Sequence, residues 1–201
     1  MPGPRTFVGL LRVGIHLGVG LAAVAAVYPL ASRERRLRMK QDWSRALLDV
    51  LGVSLETDGV APSRGVLVAN HVSWLDIYII NALAPSAFVC KAEVRRWPLI
   101  GWLCARTDTV FIERGSAVAA KQTAERLAAI LTEGAYPVAV FPEGTTTDGS
   151  RLLPFRAAML QSAIDAGVDV YPLALRYLDR RGARTAQASY SGDTSFWESL
   201  T

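Results

Sequence analysis

The chain has 201 residues, of which 51% are hydrophobic and 20% are charged, and its formal net charge is +4. This length and apolar content exclude an intrinsically disordered protein and allow one α/β domain with a short N-terminal extension. The basic balance admits nucleic acid as a partner, but no aromatic or Gly-rich binding motif accompanies it, so we expect none. Cys90 and Cys104 fit no metal or disulfide spacing, so we expect buried free thiols and no metal site.

An apolar segment opens the chain. Residues 13–32 carry no formal charge apart from a possible one on His16, and five basic residues follow within eight positions. The five are Arg33, Arg35, Arg36, Arg38 and Lys40. Such a run is long enough to cross a membrane, with the basic side in the cytoplasm. A helix lying in the interface is the alternative, because Arg12, His16 and three glycines interrupt the run. We therefore predict a membrane-anchoring helical segment at 1–52 and a second domain at 53–201.

Hydrophobic periodicity and turn residues predict alternating strands and helices along the chain. Helices are expected at 41–52, 74–83, 116–133 and 155–166, a helix or loop at 97–105, and strands at 53–57, 66–69, 87–90, 108–112, 137–141 and 169–176. The helix at 116–133 has the clearest pattern, with Ser116 as its N-cap and Gly134 at its end. The alternation indicates an α/β fold with a mostly parallel sheet flanked by helices.

Two short motifs follow predicted strands and turn polar abruptly. The first, at residues 70–76, reads Asn-His-Val-Ser-Trp-Leu-Asp, and the second, at residues 141–145, reads Phe-Pro-Glu-Gly-Thr. In an open α/β sheet, polar groups at the carboxyl ends of strands converge on a shared crevice. A neutral imidazole held by an aspartate can take a proton from a hydroxyl near pH 7, so His71 and Asp76 predict transfer chemistry on an alcohol. The simpler interpretation is a helix start at Asp76 and a surface turn at Glu143.

These motifs resemble those of the glycerolipid acyltransferase family, which includes 1-acylglycerol-3-phosphate and lyso-ornithine-lipid acyltransferases. Four motifs match in order between about residues 60 and 176. They are Asn70, His71 and Asp76; an apolar strand ending in Glu113 and Arg114; Phe141 to Thr145; and a strand carrying Pro172. The resemblance implies an enzyme that transfers an acyl group from an acyl carrier protein (ACP) or coenzyme A (CoA) thioester, acyl-ACP or acyl-CoA, to a lysolipid hydroxyl, without a bound cofactor.

The resemblance also implies roles for individual residues. His71 would be the general base, Asp76 would hold its second ring nitrogen, and Glu143 would complete the catalytic set. The expected substrate-binding residues are Asn70, Lys91, Glu113, Arg114, Gly144, Thr145, Thr146 and Asp148. The backbone N–H groups of Gly144 and of Thr145 are expected at the crevice. No serine or cysteine nucleophile is needed, because the lipid hydroxyl attacks directly, and no Gly-x-Ser-x-Gly elbow suggests an α/β-hydrolase.

One departure from the family concerns the acceptor. Phosphatidate-forming relatives place an arginine where this chain has Thr146, and threonine cannot supply that charge to a phosphate. Asp148 could pair with an ammonium group, so lyso-ornithine lipid is the expected acceptor. The alternatives are a 1-acylglycerol-3-phosphate acyltransferase that makes phosphatidic acid and a non-catalytic lipid-binding membrane protein.

The expected location is the cytoplasmic face of the inner membrane, with membrane lipids as partners. The resemblance implies that homologues run on beyond the fourth motif, so we expect the chain to be truncated at its C-terminus. An apolar patch lies between the first two motifs, and it predicts core, an acyl-chain wall or a membrane-dipping surface. Its members are Trp97, Leu99, Ile100, Trp102 and Leu103.

Overall fold

A computed structural model describes residues 4–112, 117–134 and 136–190. The chain divides into two compact units. One comprises Met1–Ala61 with Tyr78–Pro85, and the other comprises Pro62–Ile77 with Ser86–Thr201.

The first unit begins with a helical hairpin. Helix α1 spans Pro4–Ala26, a short 3₁₀ helix spans Tyr28–Leu30, and helix α2 spans Arg33–Val50. Gly20 lets the two helices approach closely, because an added Cβ would lie 2.5 Å from the indole nitrogen of Trp43. The hairpin therefore brings the middle of the apolar helix against the middle of the charged helix.

Two predictions in this region are wrong. Helix α2 begins at Arg33, eight residues before the predicted start, because the Ser32 hydroxyl accepts a hydrogen bond from the Arg35 N–H. The basic cluster is thus helical. The strand predicted at 53–57 does not form, since the Val53 N–H donates to the Leu48 carbonyl and completes the end of α2.

The second unit is built on a five-stranded parallel sheet, which confirms the predicted fold class. The strands are β1 (Val66–Ala69), β2 (Ala87–Lys91), β3 (Thr109–Ile112), β4 (Val138–Val140) and β5 (Val170–Leu173). Their order across the sheet is β3-β2-β4-β1-β5, and every paired strand is parallel. All carboxyl ends therefore lie at one edge.

Helices alternate with these strands along the chain. They are α3 (Leu75–Leu83), which crosses the boundary between the units, α4 (Ile100–Arg106), α5 (Ala117–Glu133) and α6 (Ala158–Ala166). The core of the second unit joins apolar residues of all strands except β5 to α5 and α6. Its buried members are Val66, Val68, Ala87, Val110, Leu127, Leu131, Val138, Val140 and Ala163. This packing fixes the strand ends from which the polar motifs project.

In the second unit, three predicted ends differ from the structure by three residues. The element predicted at 97–105 is helix α4, which begins at Ile100. Strand β5 stops at Leu173 rather than 176, because the Asn70 side chain takes over both backbone groups of Leu175. Helix α6 begins at Ala158 rather than 155, since the Arg156 N–H donates to the Pro142 carbonyl. The N-cap predicted at Ser116 lies outside the described residues.

Candidate active site

The candidate site lies where β1 and β4 end, side by side in the sheet. His71 follows β1 by two residues, and Glu143 follows β4 by three. Adjacent strands are about 4.8 Å apart, so the two loops are near neighbours. Lys91 ends β2, one strand further along this edge, and it is exposed.

A histidine–aspartate pair forms the centre of the site. His71 Nδ1 lies 2.8 Å from Asp76 Oδ2, and the side chains are 20% and 0% exposed. Because the carboxylate accepts from Nδ1–H, Nε2 is left as the proton acceptor. The ring also stacks on Phe141, with centroids 4.0 Å apart and planes 13° apart. Contacts from both loops therefore hold the imidazole in one orientation.

The Asp76 carboxylate is itself held by three further donors. Its Oδ2 accepts from the backbone N–H groups of Val72, at 2.7 Å, and Ser73, at 2.9 Å. Its Oδ1 accepts from the Tyr177 hydroxyl at 2.5 Å. Asp76 thus serves the start of α3, as the simpler interpretation predicted, and also orients the imidazole.

Tyr177 is a donor in this network. Burial, followed by the neighbouring Asp76 charge, raises the pKa of the Tyr177 phenol far above its ordinary value. The raised pKa favours the protonated hydroxyl, which donates to the second oxygen of Asp76.

Glu143 has a different set of contacts. It is 4% exposed; its Oε1 accepts from the His71 backbone N–H and its Oε2 from the Leu153 N–H, both at 2.8 Å. The catalytic role expected for Glu143 stays a prediction. The observed contacts are those of a positioning residue, because the carboxylate ties the backbone of His71 to the loop after β4.

The third motif forms a tight turn next to the backbone of His71. The Gly144 N–H donates to the Phe141 carbonyl at 3.0 Å, which closes the turn. The expected place of the Gly144 and Thr145 N–H groups at the crevice stays a prediction. Thr145 is exposed. The Thr147 N–H donates to the His71 carbonyl at 2.9 Å. The turn therefore braces the first motif through its backbone.

Thr146 contacts the C-terminal part of the described chain. Its hydroxyl donates to the Tyr190 carbonyl, and the Tyr190 N–H donates to the Val72 carbonyl at 2.9 Å. Residue 190 therefore bridges the first and third motifs. The expected substrate contact of Thr146 stays a prediction.

The remaining predicted residues fall into two groups. Asn70 bonds through both amide groups to the Leu175 backbone, at 2.7 and 3.1 Å, and joins β1 to the chain after β5. Asp148 is exposed in a turn, and hydrogen bonds from the Ser150 hydroxyl and N–H lower the pKa of its carboxyl. Glu113 and Arg114 lie outside the described residues.

Three residues that complete the site have no signal in the local sequence. Tyr177 lies 101 residues from Asp76 along the chain, and Leu153 and Tyr190 act only through backbone groups. Only the parallel order of β4, β1 and β5 brings these segments together. Spacing within one motif could not have found them.

Comparisons with known proteins identify the family. A family model described as Acyltransferase matches residues 53–176, which is more than half of the chain. The chain belongs to the acyltransferase family. The predicted recognition and enzyme class, a transferase of acyl groups in lipid metabolism, are thereby confirmed.

Two curated relatives show the range of similar proteins. A lyso-ornithine lipid O-acyltransferase of Pseudomonas aeruginosa is 42% identical over 189 residues, covering 89% of this chain and 70% of that protein. A 1-acyl-sn-glycerol-3-phosphate acyltransferase of Neisseria meningitidis is 44% identical over 161 residues, covering 79% of this chain and 63% of that protein. The chain thus spans roughly two thirds of these relatives.

A solved structure supports the fold. The crystal structure of the 1-acyl-sn-glycerophosphate acyltransferase PlsC from Thermotoga maritima matches with a TM-score of 0.62 at 22% identity. The match covers 84% of this chain and 74% of that chain. At this identity the likeness establishes a shared fold.

Proposed function

We propose that this chain is a membrane-associated lysolipid O-acyltransferase that uses an acyl-ACP or acyl-CoA thioester and acylates lyso-ornithine lipid. The observation that carries the proposal is the 2.8 Å contact between His71 Nδ1 and Asp76 Oδ2. It leaves Nε2 as the proton acceptor on a ring that remains one-fifth exposed. A non-catalytic lipid-binding protein would not need an imidazole oriented in this way.

The proposed reaction follows from this geometry. His71 Nε2 accepts the proton of the lysolipid hydroxyl as the oxygen attacks the thioester carbonyl carbon, a step worth roughly 10²–10⁴-fold. The new C–O bond forms, the C–S bond breaks, and the imidazolium returns the proton to the departing thiolate. Asp76 stabilises the imidazolium and fixes its tautomer, as in Ser-His-Asp sites. The products are the acylated lipid and a free thiol.

The acceptor head group is proposed from the charges beside the third motif. Thr146 carries no charge, but an added Cβ at Gly144 would lie 3.0 Å from the guanidinium carbon of Arg156. Arg156 therefore places a positive charge beside the turn, and the Arg184 guanidinium donates to the Asp148 carbonyl at 3.4 Å. A guanidinium beside the turn suits a carboxylate such as that of ornithine. Formation of phosphatidic acid from lysophosphatidate remains the second candidate, because relatives of both kinds are similar to this chain.

We further propose that the first unit lies in the interface of one leaflet, on the cytoplasmic face of the inner membrane. Among the described residues, one helix, Val8–Ala26, is long and apolar enough to cross a membrane. However, His16 of α1 stacks on Trp43 of α2 at 4.5 Å and bonds to its carbonyl at 3.1 Å. A spanning α1 would draw the charged α2 into hydrocarbon, which is costly.

The position of the N-terminus tests this placement. An epitope tag fused before Met1 is expected on the same side of the membrane as the catalytic unit, whereas a spanning α1 would place it on the opposite side. Protease digestion of intact and inside-out vesicles distinguishes the two. A tag cleaved only from the opposite side would contradict the interfacial placement.

Acyl transfer itself is tested with purified full chain, one thioester donor and each lysolipid in turn. We expect thiol release that depends on lyso-ornithine lipid and falls by roughly 10²–10⁴-fold in His71→Ala. Activity of His71→Ala within threefold of wild type, in a folded protein, would refute the assignment of the base. The same assay with lysophosphatidate separates the two acceptor candidates.

A further inference from the structure

We propose that the catalytic unit makes its own contact with an anionic lipid surface through residues 95–100, here called the 95–100 surface. It is defined by Arg95, Arg96, Trp97, Leu99 and Ile100. The contact is additional to the anchoring helices and does not depend on the proposed acyltransferase activity.

The apolar members of the 95–100 surface face solvent. Trp97 is 54% exposed, Leu99 62% and Ile100 48%. Three large apolar side chains within four positions form a contiguous apolar feature, which soluble surfaces seldom carry without a partner. The interpretation of this patch as core is therefore wrong for these three residues.

The backbone holds these side chains outward at some cost. Leu99 has a φ of 62° and a ψ of −55°, and the Ile100 N–H donates to the Pro98 carbonyl at 2.6 Å. This is a γ-turn of positive φ, a rare and strained conformation for a residue with a side chain. Gly101 permits it, because an added Cβ would lie 2.3 Å from the Arg95 carbonyl oxygen. The exposed side chains of the 95–100 surface are thus presented by a closely packed backbone turn.

The charges around the 95–100 surface indicate the partner. Residues 91–106 contain four basic side chains and one acidic one. Arg95 and Arg96 are exposed next to Trp97, and the Arg95 guanidinium lies 5.6 Å from the centre of the Phe111 ring. Tryptophan and arginine together suit the interface of a bilayer, where the ring enters the head-group region and the cation meets lipid phosphate. An anionic membrane therefore matches this surface in both apolarity and charge.

The place of this surface in the fold supports the same partner. It begins four residues after the end of β2, and β2 ends at the same edge of the sheet as the strands that precede His71 and Glu143. Contact with a bilayer here would bring that edge towards the lipid phase.

The test uses the full chain reconstituted in vesicles, with an environment-sensitive fluorophore on Leu99→Cys. Burial raises the pKa of the Cys90 thiol to about 12 and raises that of Cys104, so we expect both native thiols to label slowly. Unsubstituted protein treated in the same way gives the blank. The matched control is Ile164→Cys on α6, a 72% exposed apolar position beside Asp165 rather than arginines.

We expect quenching by lipids that carry a nitroxide at position 99 and not at position 164. It should be stronger when phosphatidylglycerol is mixed into phosphatidylcholine. Two states are compared in the anionic vesicles: protein whose 95–100 surface contacts the bilayer, and anchored protein whose 95–100 surface does not. Replacing Arg95 or Arg96 by glutamine should lower the ratio of the first state to the second about fivefold for each arginine. Trp97→Cys offers a second labelling position with the same expected result.

Equal quenching at positions 99 and 164 would overturn the proposal. So would quenching at 99 by a nitroxide-labelled acyl thioester in detergent without vesicles, which would make the surface an acyl-chain wall. None of these readouts uses catalysis, so failure of the proposed acyltransferase activity would leave this result interpretable.

Discussion

The loop after β1 and the segment after β2 leave the same edge of one sheet, but the first buries its functional side chains and the second exposes its apolar ones. Residues 70–76 bury a carboxylate and half-bury an imidazole, and every oxygen of Asp76 has a donor. Residues 95–100 expose a tryptophan, a leucine and an isoleucine. The first loop is built inward and the second outward.

This contrast shows how one edge can serve two purposes. A buried charge is tolerable only when hydrogen bonds replace its water, so the first loop needs donors from several segments. An exposed apolar side chain needs no donors, but it is unfavourable in water unless another phase covers it. The inward loop therefore suits chemistry, and the outward one suits contact with lipid.

The largest expected effect, on kcat, comes from removing the Asp76 carboxylate from the loop after β1. Asp76→Asn should lower kcat by about 10⁴-fold while changing KM little, because an amide no longer fixes the tautomer of His71. Steady-state kinetics with one donor and one acceptor measures it. Asp165→Asn, at an exposed position on α6, is the control and should match wild type. A loss in kcat of only about tenfold would mean that Asp76 mainly supports the helix start.

The next effect distinguishes positioning from catalysis at Glu143. Glu143→Gln turns an amide N–H₂ towards one of two backbone donors, so the free energy of unfolding should fall by about 1.5–3 kcal/mol together with activity. Chemical denaturation and kinetics are measured on the same sample. Glu125→Gln, on the exposed side of α5, should change neither. Lost activity at unchanged stability would instead support the catalytic role predicted from the sequence.

A smaller effect concerns Tyr177 and has a pH signature. Its pKa is raised in the folded protein, so the stability it contributes is complete below the unfolded pKa of about 10 and declines as the pH rises further. Tyr177→Phe should remove that decline and lower kcat about tenfold through the lost bond to Asp76.

Tyr171→Phe is the matched control. The Tyr171 hydroxyl lies outside the site and donates a hydrogen bond of 3.3 Å to the Asp169 carboxylate. Denaturation curves from pH 8 upward test the prediction. Equal alkaline slopes for wild type and Tyr177→Phe would show that the buried phenol does not resist ionisation.

The sequence predicts those parts of the molecule that depend on contacts between residues close together along the chain. The spacing of His71 and Asp76 predicted their pairing, and the structure places them in contact. The strand at 53–57 failed because a helix end used its first N–H, a competition that strand propensity does not register. Tyr177 was missed because it reaches Asp76 only through the order of β1 and β5. Long-range partners of a buried charge require the topology.

The smallest expected effect concerns acceptor choice at the third motif. Thr146 donates to the Tyr190 carbonyl, the Arg156 guanidinium lies beside Gly144, and the Arg184 guanidinium donates to the Asp148 carbonyl at 3.4 Å. Thr146→Arg adds a further cation, which favours a doubly charged phosphate more than a carboxylate, so the ratio of kcat/KM for lysophosphatidate over lyso-ornithine lipid should rise several-fold.

Arg156→Gln should lower kcat/KM for both acceptors, mainly through KM, whereas Arg151→Gln, at an exposed position five residues earlier, should not. An unchanged ratio in a folded Thr146→Arg variant would show that position 146 does not face the head group. In that case the bond to residue 190 would be its main role, and acceptor choice would rest on Arg156 and on residues elsewhere along this edge.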